Sequence, residues 1–286
     1  MMGFILNEMQ SSNPQMNAEK YSSNYKMRNT PCSSSNKLRT YKADLHVHTV
    51  LSPCADLLMT PGNIIKRALA SGLDIIAITD HNSAENVEVT MELAKDTPLH
   101  VIPGMEVESS EEVHLLCLFN RVDDLLKWQE IVYNSLPDLK NDEDYFGYQL
   151  LTDLNDEYAA RVDRLLAVAT GMTVEEIVDK VTKMGGLVIP SHIDRPYNSI
   201  ITNLGFIPPK LKFPLLEVYK GTNPQDLIKR FPFLKGYSFI KDSDSHYLDD
   251  LEPMMEFRIK KVSLEEILLA AREKDGRGII LKQVKR

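Results

Sequence analysis

Histidines that follow apolar segments are the most constraining feature of this 286-residue sequence. Apolar runs at 74–79 and 187–190 are typical of parallel strands buried on both faces, and a histidine motif follows each run. Because parallel strands present their carboxyl ends at one rim of a barrel, we expect the imidazoles to converge there. Six of the seven histidines lie in such motifs: Asp44-Leu45-His46-Val47-His48, Asp80-His81, Glu106 with His114, His192-Ile193-Asp194 and Asp244-Ser245-His246.

Strand-like and helix-like segments alternate along most of the chain. Strands are predicted at 42–48, 74–79, 99–103, 113–119, 187–190, 215–219 and 237–240, and helices at 61–72, 83–95, 173–184 and 263–272. This alternation predicts an α/β fold in which parallel strands close into a barrel. Converging imidazoles and carboxylates at its rim are typical ligands of Zn²⁺, Mn²⁺ or Fe²⁺. The sequence therefore predicts a metal-dependent hydrolase.

The domain organisation is uneven. Residues 1–39 contain seven serines and six asparagines without apolar periodicity, which predicts a disordered extension before a barrel domain at 40–286. An acidic segment with interleaved aromatics at 135–170 interrupts the alternation. It is either a lid inserted into a barrel loop or a solvated helical excursion.

Charge and cysteine content restrict the possible partners and location. The net charge of −8 argues against an extended nucleic-acid surface and favours a small phosphorylated substrate or nucleotide. The three cysteines have unrelated spacings, so neither a disulfide framework nor a zinc ribbon is expected. We expect a cytoplasmic protein without a membrane span, because no apolar run is long enough to cross a bilayer.

The individual motifs differ in how strongly they indicate metal ligands. His46 and His48 are two residues apart on a strand, so both imidazoles point to one face. Glu106 follows Gly104, where a sharp turn would leave its side chain projecting, although Glu108 and Glu111 are nearby alternatives. Two loop residues are weaker candidates, since Asp56 fits a simple turn residue and Cys54 fits a free thiol as well as a ligand.

These motifs, in this order from about Lys42 to Tyr247, resemble the PHP (polymerase and histidinol phosphatase) family of metal-dependent phosphoesterases. The resemblance implies a distorted (β/α)₇ barrel with two or three divalent metal ions (Zn, Mn or Fe) at the carboxyl ends of the strands. It implies that a first metal is held by His46, His48, Glu106 and Asp244. It further implies that Glu106 bridges to a second metal with His114 and His192, and that a third has Asp56, His81 and His246 as its ligands.

One loop departs from the family pattern. The family commonly has Ser-Asp-Gly after its histidine pair, whereas this chain has the longer Ser52-Pro53-Cys54-Ala55-Asp56. Counting back from Thr60-Pro61, a helix cap with proline at the first helical position, puts Asp56 in the place of the family's aspartate. The third set of ligands therefore depends on this loop.

The implied reaction is hydrolysis of a small phosphomonoester or nucleotide by metal-bound hydroxide, without a protein nucleophile. Arg195, three residues after His192, is placed to contact a substrate phosphate, or is a surface arginine after a turn. Asp80 is expected to orient His81 or a water molecule, or to accept backbone hydrogen bonds at a strand end.

Three other functions remain open from the sequence. An amidohydrolase-like enzyme would use a similar barrel on C–N bonds, although it usually has a metal-bridging lysine at a strand end. Asp242 and Asp244 could begin an aspartate-nucleophile phosphatase motif, but that motif normally lies on an early strand. A non-catalytic metal-binding regulatory module is the third alternative.

Overall fold

The computed structural model describes residues 37–282. The extension predicted at 1–39 therefore lies outside the described residues, apart from its last three positions. Arg39 is already the first residue of a strand and pairs with Ile259, so the folded domain includes it.

Eleven strands and eight α-helices make up the described part of the chain. The strands are β1 (Arg39–Val47), β2 (Ile75–Ile78), β3 (His100–Glu108), β4 (His114–Leu118), β5 (Leu150–Thr152), β6 (Tyr158–Arg161), β7 (Leu187–Pro190), β8 (Leu215–Val218), β9 (Ser238–Lys241), β10 (Met255–Ile259) and β11 (Gly278–Leu281). The helices are α1 (Pro61–Ser71), α2 (Val87–Ala94), α3 (Val122–Ser135), α4 (Glu143–Phe146), α5 (Val174–Lys183), α6 (Ile200–Leu204), α7 (Pro224–Arg230) and α8 (Leu264–Ala271). None of these helices is long and apolar enough to cross a lipid bilayer.

The strands form a curled sheet that is continued by a second strand pair. The large sheet has the order β11-β10-β1-β2-β3-β4-β7, and β8 and β9 form a parallel pair. After β7 the Ile193 amide donates to the Glu217 carbonyl in β8 (2.9 Å), and beyond β9 the Ser245 amide donates to the His46 carbonyl in β1 (3.2 Å). These contacts join seven strands in a ring, β1-β2-β3-β4-β7-β8-β9. The prediction of an α/β fold of the distorted barrel type is confirmed.

Strand β4 runs opposite to its neighbours, which the expectation of parallel strands did not include. It pairs antiparallel with both β3 and β7, with Glu108 opposite His114. Because of this reversal, the beginning of β4 lies at the rim where β3 and β7 end. His114 is therefore brought to that rim although it starts a strand.

A close-packed apolar core sets the position of the rim. All four residues of β2 are fully buried, and α1 turns Ile64, Ile65 and Ala68 towards the sheet. Burial of each such aliphatic side chain contributes about 1.5–3 kcal/mol. Gly104 in β3 is extended rather than turned, contrary to expectation. A Cβ there would lie 2.8 Å from Leu118, so glycine permits the close approach of β3 and β4.

The segment at 135–170 contains the β5–β6 hairpin and the one-turn helix α4, so the alternative of a helical excursion is wrong. Asp156 in the hairpin turn accepts hydrogen bonds from the Thr60 hydroxyl and the Gly62 amide, both at 2.7 Å. It thereby caps the start of α1, where Thr60 itself makes no side-chain cap hydrogen bond. The hairpin thus fixes the loop that connects β1 to α1.

Candidate metal centre

Eight of the nine residues predicted as metal ligands lie together at the rim. They come from the ends of β1 and β3, the segments that follow β2, β7 and β9, and the start of β4. The eight residues are His46, His48, His81, Glu106, His114, His192, Asp244 and His246. The ninth, Asp56, lies in the loop between β1 and α1, where its carboxylate accepts a hydrogen bond from the Leu58 amide at 2.8 Å.

Glu106 lies between five imidazoles. Its Oε1 atom is 3.2 Å from His46 Nε2, 3.1 Å from His114 Nδ1 and 3.4 Å from His192 Nε2. Its Oε2 atom is 3.1 Å from His81 Nδ1 and 3.5 Å from His48 Nε2. The two oxygens of one buried carboxylate thus serve two different sets of histidines, which suits a bridging ligand.

Glu106 and the alternative acids differ clearly in position. The Glu108 carboxylate is 3.8 Å from His114 Nε2, at the edge of the cluster. Glu111 instead accepts the Val174 amide at the start of α5. Of these three acids, Glu106 alone is central.

Asp244 forms the second carboxylate of the cluster. Its Oδ1 atom is 3.3 Å from Nε2 of both His46 and His48, and 3.6 Å from His246 Nδ1. Its Oδ2 atom is 2.5 Å from the Arg195 guanidinium. Arg195 therefore reaches the cluster, where its partner in the described structure is Asp244, and its role in phosphate binding stays a prediction.

Glu217, which the sequence analysis missed, orients the first histidine. This residue of β8 is 1% exposed, and both its carboxylate oxygens lie 3.1 Å from His46 Nδ1. It also accepts the His192 amide at 3.0 Å. Because the carboxylate fixes the proton on Nδ1 of His46, the Nε2 lone pair faces Glu106 and Asp244. The available signal was a single acid within the apolar run Leu-Leu-Glu-Val.

His48 is oriented by a chain of hydrogen bonds that ends at Asp80. The Ser52 hydroxyl donates to Asp80 at 2.6 Å and therefore accepts from His48 Nδ1 at 2.9 Å, which leaves Nε2 of His48 unprotonated. Asp80 also accepts from the amide and hydroxyl of Thr49, both at 2.7 Å. Asp80 thus acts through Ser52 on His48, and among its hydrogen bonds none goes to the ring of His81.

The donor set fits a bound cation. His46 Nε2 and His48 Nε2 lie 3.1 Å apart, although the orientation of both rings directs a lone pair towards this space. Glu106 Oε1 and His114 Nδ1 are buried and close, yet within the described residues neither makes a hydrogen bond of acceptable geometry. Groups that face one another without bonding one another are suitably placed to share a metal ion.

Three groups of side chains in the described residues could each hold an ion: His46 with His48 and Asp244, His81 with Glu106 and His114, and His48 with His81 and His246. The first corresponds to the first implied ligand set without Glu106. In the second, His81 stands where the resemblance implies His192. The third contains the two histidines of the third implied set, with His48 in place of Asp56.

The electrostatics of the cluster favour positive charge. Burial opposes protonation of His46, but Glu106, Glu217 and Asp244 raise its pKa well above the usual value. Burial and the nearby charge of His246 lower the pKa of His48 well below normal. Burial would raise the pKa of Glu106, yet the surrounding histidines lower it well below its usual range. The ionised carboxylates therefore attract a cation among the rings.

Two members of the cluster have a strained backbone. His192 and Asp244 adopt positive φ angles of 28° and 49°, in the region that favours glycine. Such conformations cost about 1–3 kcal/mol each and persist where the surroundings hold them in place. Both residues are cluster members, so the fold maintains strain where it positions these side chains.

The PHP domain profile matches residues 44–189, more than half of the chain, and the chain belongs to this family. PHP-type proteins are metal-dependent phosphoesterases, which agrees with the converging imidazoles and carboxylates. The alternatives of an amidohydrolase-like enzyme and a non-catalytic module are not favoured.

Two proteins share sequence similarity with the chain. It is 27% identical over 172 residues to an uncharacterized protein of Methanocaldococcus jannaschii, covering 57% of this chain and 72% of that protein. It is 29% identical over 82 residues to a 5'-3' exoribonuclease of Haemophilus influenzae, covering 28% of this chain and 29% of that enzyme.

Among solved structures, the fold is similar to that of a lesion-specific endonuclease, endonuclease Q of Pyrococcus furiosus. The TM-score is 0.64 at 22% identity, covering 84% of this chain and 58% of the endonuclease chain. Endonuclease Q bound to a 27-mer duplex with an abasic lesion at the active site gives a TM-score of 0.63 at 20% identity, with the same coverage. The chain thus spans less than two thirds of that endonuclease.

These comparisons correct the expectation about partners. The net charge of −8 led us to expect a small phosphorylated substrate and no extended nucleic-acid surface, and that expectation is wrong. In endonuclease Q, whose fold is similar, a 27-mer duplex lies with its abasic lesion at the active site. Net charge over a whole chain is a poor indicator of such partners, because a bound metal ion can supply the local positive charge that phosphates require.

Proposed function

We propose that this chain is a metal-dependent phosphodiesterase that hydrolyses a backbone phosphoester of a nucleic acid. The observation that carries the proposal is the Glu106 carboxylate, whose two oxygens lie within 3.5 Å of five imidazoles. The geometry suits ions bound on both sides of this carboxylate. Two divalent cations on either side of it would activate a water molecule and neutralise the negative charge of the phosphoryl oxygens.

The residues at the site have two roles, since some would bind the ions and others orient the side chains that bind them. His46, His48 and Asp244 would hold one ion, and His81 would help to hold another. Glu106 would serve both ions, with His114 and His192 beside its Oε1 atom. Glu217 keeps His46 in the required tautomer, and the Ser52–Asp80 pair does the same for His48. Orienting partners of this kind typically contribute about 10–100-fold to metal affinity.

Arg195 is the proposed phosphate-binding residue. Its guanidinium bonds to Asp244 at 2.5 Å, and its side chain is 24% exposed, so it borders both the cluster and solvent. The guanidinium fork can contact a phosphoryl oxygen while Asp244 holds it in place. It also lies 5.7 Å from the centre of the Tyr219 ring.

Exposed tyrosines favour a substrate that carries bases. Tyr197, Tyr219 and Tyr247 are 62%, 42% and 57% exposed, and each follows a strand that contributes to the rim. Single exposed aromatics are common on protein surfaces. Three in the segments that also hold His192, Glu217 and His246 are suitable for stacking on nucleotide bases.

The aspartate-nucleophile alternative finds no support in the geometry. Asp242 is 2% exposed and accepts the Leu45 amide at 2.5 Å, so its carboxylate is used within the fold. Burial and the neighbouring acids raise its pKa well above the usual value, which leaves it a poor nucleophile. Asp244 is held by His46, His48 and Arg195.

The test compares chemically distinct phosphoesters under defined metals. We expect cleavage of labelled single-stranded, duplex and abasic oligonucleotides with Zn²⁺, Mn²⁺ or Fe²⁺, and none with a chelator. Tyr247→Ala should raise KM for oligonucleotides but not for a bare aryl phosphodiester. Phe233→Ala, an exposed aromatic before β9 and away from the rim, is the matched control. Hydrolysis of phosphomonoesters with no cleavage of any oligonucleotide would overturn the proposal.

A further inference from the structure

The loop between β1 and α1 places a thiol, rather than a carboxylate, beside two of the histidines. Cys54 lies between Ser52, whose hydroxyl accepts the His81 amide at 3.2 Å, and Asp56, whose amide donates to the His246 carbonyl at 2.9 Å. Burial would raise the pKa of the Cys54 thiol, but the nearby His81 and His246 lower it to about 6. Ring nitrogens of His48, His81 and His246 lie within 4.8 Å of one another, a grouping that could hold a metal without any contribution from the loop. The thiol therefore borders a set of side chains already suited to an ion.

Asp56 is turned to a different task. Its Oδ1 atom accepts the Leu58 amide at 2.8 Å, and its own amide donates to the His246 carbonyl at 2.9 Å. Asp56 thus closes a turn and fastens the loop to the backbone of His246. Neither role directs its carboxylate towards the rings.

The backbone around Cys54 is fixed by contacts on both sides. The Ala55 amide donates to the Ser52 carbonyl at 2.9 Å. The Ser52 hydroxyl in turn links Asp80 to His48 through the two hydrogen bonds that orient the His48 ring. A Cβ at Gly147 would clash with the Pro53 carbonyl, so the segment before β5 packs directly on the loop. Cys54 is therefore held at the rim by the same network as the histidines.

We propose that Cys54, and not Asp56, completes the cation site of His81 and His246, here named the outer site. This inference rests on the proposed metal centre and specifies one of its sites. A thiolate is a soft ligand, so a site with one sulfur and two imidazole nitrogens prefers Zn²⁺ to Mn²⁺ or Mg²⁺. The longer loop of this chain then changes the metal preference of the outer site.

Cobalt substitution of the full chain tests the ligand directly. Co²⁺ bound by a thiolate gives a near-ultraviolet charge-transfer absorption that nitrogen and oxygen ligands do not produce. We expect this absorption in the unaltered protein and in Asp56→Asn, and its loss in Cys54→Ser. Zinc content should fall by about one ion per chain in Cys54→Ser alone. Cys32→Ser is the thiol control and should retain the absorption.

Persistence of the absorption in Cys54→Ser, or its loss in Asp56→Asn, would refute the assignment. A measurement on the unaltered chain does not depend on whether the variants fold. Zn²⁺ should slow alkylation of Cys54 by iodoacetamide at least about tenfold, as mapped on its peptide, and an equal rate with and without Zn²⁺ would also refute it. No phosphoester enters either measurement, so their failure is distinguishable from failure of the proposed phosphodiesterase activity.

Discussion

The two sides of the candidate metal centre are built in different ways. The inner site, composed of His46, His48 and Asp244, has side chains that are 0%, 0% and 7% exposed. At the outer site, the side chains of His81 and His246 are 12% and 22% exposed. The inner histidines lie at the end of β1, whereas the thiol proposed for the outer site lies on a loop.

The groups that orient the histidines also differ between the inner and the outer site. Inner histidines are oriented by side chains fixed in the barrel, Glu217 for His46 and Ser52 for His48. The Nδ1 atom of His246 bonds instead within its own segment, to the Asp244 carbonyl at 3.0 Å. We therefore expect the inner site to bind cations more tightly, and the outer site to respond to changes in the loop and the hairpin.

The largest effect is expected at the one residue that serves both sites. Glu106→Gln removes the charge that lies 3.2 Å from His46 and 3.1 Å from His81, so both sites should lose metal. Hydrolysis should fall by at least about 100-fold. Elemental analysis and kinetic assays measure the two effects, with Glu108→Gln as the nearby control. Loss of metal from one site alone would contradict the bridging role.

Glu217→Gln should have a smaller effect, which is confined to metal binding at the inner site. The amide still accepts a hydrogen bond from His46 but no longer stabilises its charge distribution, so inner-site affinity should fall about 10–100-fold. Cobalt titration separates the sites, because only the outer site should give the thiolate absorption. An equal loss of affinity at both sites would show that Glu217 acts on the whole fold.

Arg195→Ala should spare both metal sites and affect the substrate. A charge-assisted hydrogen bond contributes about 1.5–3 kcal/mol, so kcat/KM should fall about 10–150-fold while metal content stays constant. Arg195→Lys should recover only part of the lost kcat/KM, since a lysine side chain lacks the planar fork of the guanidinium. Release of metal from Arg195→Ala would mean instead that the guanidinium mainly holds Asp244 in place.

The smallest effect is expected from Asp156→Ala in the hairpin turn. Loss of the cap on α1 should cost about 1 kcal/mol, or about 2–4 °C in Tm for a domain of this size. The loop that carries Cys54 should loosen, so zinc affinity should decrease at the outer site only. Asp156→Asn, which retains an acceptor for the Gly62 amide, should behave like the unaltered chain. Calorimetry and cobalt titration of the two variants provide the comparison.

The sequence predicted most of the inner site because its signals are local. The pair His46 and His48 lies at strand spacing, and Glu106 and Asp244 follow apolar runs that became strands. Convergence at a common rim then follows from barrel topology. The reversed direction of β4 was not predictable, since strand polarity depends on pairing between distant segments rather than on local pattern.

Tertiary hydrogen bonds explain what the sequence missed. The helix predicted at 83–95 starts only at Val87, because the Asn82 and Asn86 side chains bond to the carbonyls of Leu166 and Leu150. Glu217 gave no spacing signal, since its partner His46 is 171 residues away. The loop was also ambiguous, because composition does not show which of Cys54 and Asp56 closes the turn.

The substrate expectation failed for a related reason. A net charge summed over the chain does not describe the electrostatic field at the rim. There the negative charge of Asp244 lies next to Arg195 and several histidines. Cations bound there would reverse the sign of the local charge. Global charge therefore could not exclude a polyanionic substrate.

Anomalous diffraction from crystals of the zinc-loaded protein tests the central claim most directly. We expect separate zinc peaks on the two sides of the Glu106 carboxylate, one next to Oε1 with His46 and one next to Oε2 with His81. Zinc peaks that avoid Glu106, or that all lie on one side of it, would contradict its bridging role.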